Sequence, residues 1–151
     1  MLLVDTGDVK GPNLGVLLFI PYRAMEQRVM AELAEAGFDD VTLAQARVFQ
    51  RIAAEGSRLT DLAEQAQITK QSAGFLVDQL ESNGYVQRVP DPRDGRARLI
   101  VVAPRGAAAV QRSAQTVAAI EGEWLAHLGP DGIDTLRDLL AQLRDITDPY
   151  R

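Results

Sequence analysis

Four arginines and two aspartates crowd a short stretch that also holds two prolines and a glycine: Arg88, then Pro90-Asp91-Pro92-Arg93-Asp94-Gly95-Arg96, then Arg98. A guanidinium is a planar, permanently charged donor suited to phosphate oxygens and to the concentrated negative potential of a narrow duplex groove. Upstream, Thr69-Lys70-Gln71-Ser72 is polar, short-chained and free of acids, and an apolar repeat follows it. At a helix N-terminus such a run presents hydroxyl, amide and amine groups, with free backbone N–H groups behind them, to phosphates and base edges. The chemistry shared by the two clusters is recognition of a polyanion, and the partner it points to is double-stranded DNA.

Bond-making chemistry finds no comparable constellation. His127 is the lone imidazole and the chain has no cysteine. A nucleophile with its base, a nitrogen and sulfur zinc site, a disulfide framework and a thiol switch are therefore excluded. No Gly-rich phosphate loop is present either. Asp131, Asp134 and Asp138 are spaced to share a helix face and to hold a divalent cation through oxygen. More often such acids form a solvated face, and two of them sit in the first turns, where the helix dipole favours negative charge. No catalytic residue, metal or cofactor is expected.

The elements that must position the two clusters follow from caps, periods and breakers. Thr60 is expected to cap a short supporting helix over Asp61–Ala66, with small Ala63 where a second helix crosses. Thr69 is expected to cap a second helix through about Ser82, with Ala73, Leu76, Val77 and Leu80 as its apolar side. Asn83-Gly84 stops it. Its other side carries Lys70, Gln71, Gly74, Phe75 and Asp78. Tyr85–Val89 and Arg98–Val102 are rich in strand formers, and Pro90–Ala97 between them is expected to be a turn and not a strand. Helix, turn, helix, hairpin is the order of a winged helix-turn-helix, here over about residues 40–102.

The flanks read as helices. Asn13–Ala36 is apolar throughout, from Leu14, Leu17, Leu18 and Tyr22 to Met25, Val29, Met30 and Leu33, and Gly37 ends it. Pro21 within it is expected to kink the helix. Pro104 or Arg105 opens a long helix to about His127, Gly129-Pro130 breaks it, and Pro130 starts another. Ile133, Leu136, Leu140 and Leu143, with Leu139 and Ile146 alongside, form a stripe suited to a partner's matching surface. The fold class expected is mainly α with a small two- to three-stranded β-wing.

Ile68-Thr69-Lys70-Gln71-Ser72, Leu76-Val77-Asp78-Gln79-Leu80-Glu81, Gly84-Tyr85-Val86 and above all Asp91-Pro92-Arg93-Asp94-Gly95-Arg96 resemble the MarR family of bacterial transcriptional regulators. The likeness extends to Leu43–Phe49, similar to the helix leading into that family's DNA lobe, and to Pro104-Arg105-Gly106, similar to the start of its return helix. The resemblance implies a homodimer packed by the N- and C-terminal helices (about 12–37 and 104–148), here through Leu14, Leu17, Ile133, Leu136, Leu140 and Leu143. A two-fold dimer implies in turn a near-palindromic operator with half-sites roughly 10 base pairs apart. The role implied is that of a repressor released by a small aromatic or phenolic effector, for which Phe19, Tyr22, Met25 and Phe49 are candidates; the same four residues read as core.

The resemblance also sends Arg96 into the minor groove, with Asp94 orienting it by a charge-assisted hydrogen bond. Arg88, Arg93 and Arg98 join it as wing contacts, and Thr69, Lys70, Gln71, Ser72, Gly74 and Phe75 as recognition-helix contacts. The alternative is that Asp91, Arg93, Asp94 and Arg96 only tie the turn together as surface ion pairs. Gly74-Phe75 departs from the family, which commonly has a hydroxyl and then an arginine there. Phe75 either touches a thymine methyl or turns back beside the wing. An adaptor that binds proteins and no specific DNA is the rival class.

Size and charge fit one regulator-sized domain over 1–151, with 46% hydrophobic and 25% charged residues. The formal net charge is −5. Between Gly84 and Arg105, however, five arginines face two aspartates, a local +3 that leaves −8 for the remainder. A phosphate backbone responds to the face within roughly 8 Å of it at physiological salt, so an acidic body would repel DNA everywhere but at the wing and recognition helix. Val16–Ile20 is too short to span a bilayer, and Met1-Leu2-Leu3-Val4-Asp5 lacks the basic start of a secretory signal. A cytoplasmic, nucleoid-associated protein without a membrane partner is expected.

Overall fold

Side-chain caps and left-handed residues set most of the boundaries in the computed structural model, which describes residues 11–150; the reading of Met1–Asp5 lies outside the described residues. The order is α1 (Leu14–Glu35), α2 (Leu43–Phe49), α3 (Leu59–Gln65), α4 (Lys70–Ser82), β1 (Val86–Asp91), β2 (Asp94–Val102) and α5 (Pro104–Thr147). Asn13 caps α1 by accepting the Val16 amide at 3.0 Å, and Gly37 follows its end at φ 96°. Thr42 and Gln45 form a reciprocal capping box at the start of α2. Gln45 then donates through Nε2 to Gln79 Oε1 at 2.8 Å, tying α2 to α4. Thr69 caps α4 as its sequence predicts, accepting the Ser72 amide at 3.1 Å, and Gly84 at φ 81° follows the Asn83 C-cap.

Thr60 does not cap α3. The helix begins earlier, at Leu59, with Arg58 as its N-cap and no side-chain cap bond. The Arg58 carbonyl accepts the Asp61 and Leu62 amides at 3.1 Å, while its guanidinium is held on Asp91 of the hairpin. The anchored Arg58 thus fixes the helix start and leaves Thr60 in the first turn. Between α3 and α4, Gln67 takes φ 56°, a left-handed conformation costing a residue with a Cβ roughly 1 kcal/mol.

The core of the lobe is a cluster of Leu62, Val77, Leu80, Tyr85, Val86, Ile100 and Val48, joined by Leu33 of α1 and Ala109 of α5. Tyr85 is buried, and its hydroxyl donates to the Asp40 carboxylate. Arg105 closes the same corner. Its guanidinium donates to Asp40 Oδ2 at 2.8 Å and to the Asn83 carbonyl at 2.7 Å, and lies 4.4 Å from the centre of the Tyr85 ring. Gly106 is required here because a Cβ would stand 2.2 Å from the Tyr85 carbonyl oxygen.

The hairpin is longer than its sequence suggests. Antiparallel pairing runs from Val86 opposite Val102 through Pro90 opposite Arg98 to Asp91 opposite Asp94, so only Pro92 and Arg93 form the turn. In a two-stranded ribbon both strands are edges, and a proline can leave its missing donor on the open side; the register shift falls at Pro90/Asp91. A third strand is reduced to the single bridge between Ser57 and Ile100.

α1 continues through Pro21 as one helix. α5 is broken at Gly129, whose φ 76° and ψ 165° are non-helical, and Pro130 opens its second part as expected. α1 and the first part of α5 are cross-linked by polar groups. Glu32 accepts from the Thr116 hydroxyl at 2.7 Å and from Arg112 at 3.0 Å, and Arg28 holds Glu123 at 2.7 Å. Among the described residues no helix is long and apolar enough to cross a membrane.

Candidate nucleic-acid interface

The N-terminal turn of α4 is open. Thr69, Lys70, Gln71 and Ser72 are all exposed, and no acid stands in that turn. Thr69 spends its hydroxyl oxygen on the Ser72 amide and donates to Ser72 Oγ at 2.9 Å, so part of the run is cap and part is free. Phe75 does not turn back beside the wing: it is 63% exposed. Gly74 is half-buried, and a Cβ there would meet only Leu59 at an ordinary 3.6 Å, so packing does not demand glycine.

The wing arginines fall into two groups. Arg88 is turned back onto the recognition helix. Its guanidinium donates to Asp78 at 2.7 Å and to Glu81 at 2.9 Å, and its backbone amide donates to Glu81 at 2.9 Å. Arg88, expected as a wing contact, is thus paired with two acids of α4. Arg98 is exposed and donates to the Arg88 carbonyl at 3.0 Å, bracing β1 from β2. Arg96 is exposed on the ribbon beyond them, and its guanidinium has no partner among the described residues.

Asp94 does not orient the Arg96 guanidinium. It accepts the Arg96 backbone amide at 3.1 Å and lies 3.6 Å from Arg58. The short Asp94 side chain reaches the amide two residues on, in the manner of an Asx turn, before it can reach a guanidinium pointing outward.

Asp91 is the structural centre of the tip, with its side chain 0% exposed. Arg58 donates to it through Nε at 3.0 Å and Nη2 at 2.7 Å, and the Arg93 amide donates at 2.9 Å. The Arg93 amide and the Arg58 guanidinium together hold the Asp91 carboxyl below the usual aspartate range. The Arg93 guanidinium remains exposed, 3.7 Å from the same carboxylate. Asp91 therefore ties the turn, while the side chains of Arg93 and Arg96 are exposed. Arg58 carries no signal in its own neighbourhood, since its partner lies beyond α3 and α4.

Of the residues considered for an effector, Tyr22 lines a cleft of about 510 Å³ with Arg47, Gln50, Arg51, Gln67 and Tyr150 among others. Phe19, Met25 and Phe49 are not in its lining. Phe49 packs against the lobe core, under Gly106, and Phe19 is exposed beneath the Arg23 guanidinium. The four do not share this cleft. Leu14 and Leu17 of α1 and Leu140 and Leu143 of α5 are exposed, while Ile133 and Leu136 are half-buried.

Capped recognition helix, preceding helix and arginine-tipped ribbon define a winged helix-turn-helix protein. Residues 39–97 match the sequence model of the MarR family. Escherichia coli MarR in its reduced form superposes with a TM-score of 0.71 at 26% identity, over 89% of this chain and 98% of that one. A mutant of E. coli MarR complexed with operator DNA gives 0.65 at 26% identity, over 86% and 92%. A probable transcriptional regulator from Pseudomonas aeruginosa gives 0.58 at 27%, over 87% and 96%. No curated protein matches the chain in sequence. The chain is thus similar to the MarR family of transcriptional regulators, in sequence across residues 39–97 and in fold across most of its length.

Proposed function

We propose that this chain is a sequence-specific DNA-binding transcriptional regulator that acts as a homodimer on a near-palindromic operator, and that it is a repressor. The observation that carries the reading is the pairing of an acid-free, exposed N-terminal turn on α4 with an uncommitted guanidinium, Arg96, on the adjacent wing. The similarity to a MarR complexed with operator DNA supports it. The apolar residues left exposed on α1 and on the second part of α5 support a second copy as the partner that covers them. The protein works in the cytoplasm and carries out no reaction of its own.

Release by a small aromatic or phenolic effector belongs to the same proposal and rests on the family resemblance, with the cleft at Tyr22, Arg47 and Arg51 as the place to seek it. A ligand shifts the spacing of two recognition helices only by its difference in affinity for the two spacings. The test is titration of labelled DNA from the gene's own upstream region at two salt concentrations, with unrelated competitor DNA present. Competitor-resistant, salt-sensitive binding with two subunits per site is expected. Absence of preference over competitor contradicts the proposal and favours a protein-binding adaptor.

A further inference from the structure

Phe75 is the large apolar side chain that stands out on α4. At about 100° per residue, Ala73, Val77 and Leu80 gather on the buried side of the helix, and Phe75 falls nearly opposite them. It is 63% exposed at the middle of the outward face, one turn after Gln71 and one turn before Asp78. Helical side chains lean toward the N-terminus, so the ring lies over the turn that holds Gln71 and Ser72. A Cβ on the neighbouring Gly74 would meet only Leu59 at 3.6 Å, so packing does not demand glycine beside Phe75.

What meets an apolar ring there is limited by its surroundings. The preceding turn is polar and acid-free, and the acids that follow, Asp78 and Glu81, are both held by Arg88. The uncommitted Arg96 stands on the adjacent ribbon. The face is prepared for a polyanion and has one apolar contact at its centre. In the major groove the apolar group that base edges offer is the 5-methyl of thymine.

We infer that Phe75 is a specificity-determining residue that reads the thymine methyl at one position of each half-site. The inference rests on the regulator reading above. It is tested on the full chain with an operator selected from random duplexes, in which thymines are then replaced one at a time by uracil, a base that pairs alike and lacks only the methyl. At one thymine of each half-site, affinity is expected to fall about fourfold, and about fifteenfold when both are replaced, the scale of one buried methyl per subunit.

Phe75→Ala should keep its helicity, bind the parent operator more weakly and no longer distinguish thymine from uracil there. Phe75→Leu should keep a reduced distinction. Equal binding of thymine and uracil at every position, or undiminished discrimination by Phe75→Ala, would overturn the role of Phe75 while leaving operator binding itself intact. Failure to select any sequence would overturn the regulator reading and this inference with it.

Discussion

At the scale of single residues the interface is governed by which charges are already spent. Arg88, Arg93, Arg96 and Arg98 look equivalent as a string, yet Arg88 is bound to two carboxylates of α4 and Arg96 to none among the described residues. Arg88 neutralises two acids on the α4 face that the proposed function sets against a phosphate backbone. Arg88→Ala is therefore expected to weaken operator binding by roughly 1–2 kcal/mol without removing a DNA contact. Adding Asp78→Asn and Glu81→Gln should recover most of that loss, as read by fluorescence anisotropy; no recovery would mean that Arg88 touches DNA itself. The outward position of Arg96 could be read from a guanidinium on a proline- and glycine-rich tip. The capture of Arg88, and the grip of Arg58 on Asp91, could not, because each joins elements whose crossing no local spacing reveals. Asp94 differs from its expected role for the opposite, local reason: the Arg96 backbone amide, two residues on, takes the carboxylate expected to orient the Arg96 guanidinium.

At the scale of elements, caps and periods were reliable wherever a side chain does the capping. Thr69 starts α4 and Asn83-Gly84 ends it as expected, whereas α3 starts at a residue fixed by a distant carboxylate and Thr60 merely joins its first turn. Prolines at Pro90 and Pro92 marked a turn correctly but overstated its length, since an edge strand tolerates a missing donor. The joint between hairpin and α5 depends on Gly106. Gly106→Ala would drive a methyl into the Tyr85 carbonyl and the Phe49 ring and should cost about 1–3 kcal/mol, seen as a lower Tm. The joint between α1 and α5 depends on Glu32. The Thr116 hydroxyl first, then Arg28 and Arg112, bring its pKa from 4.5 to about 2. A carboxyl depressed on folding stabilises the fold fully above its unfolded value, and the contribution is lost as pH falls through its folded value. Thermal stability should therefore drop between pH 4.5 and about 2 more steeply in the native chain than in Glu32→Gln. Parallel Tm profiles for the two would show that Glu32 does not link the helices in solution.

At the scale of the whole molecule, a −5 chain presents a basic wing through local sorting of charge, and leaves apolar residues uncovered at both ends. Leu140 and Leu143 lie on α5 with 39% and 44% of their surface exposed. If a second copy covers them, Leu140→Glu should raise the dimer dissociation constant roughly tenfold or more, since a carboxylate would be buried without a partner. Sedimentation velocity reads this directly, and an unchanged dimer would place the interface elsewhere. Helix stripes in the sequence predicted such a surface but could not specify what covers it, because periodicity records which side is apolar and not what meets it. The most direct measurement of the central claim is the salt dependence of operator binding for the native chain and Arg96→Ala, with dimer state and helicity checked in parallel. The account predicts a loss of about 1–3 kcal/mol and a shallower salt slope by about one per subunit, with an intact dimer. Unchanged affinity and slope in Arg96→Ala would contradict it.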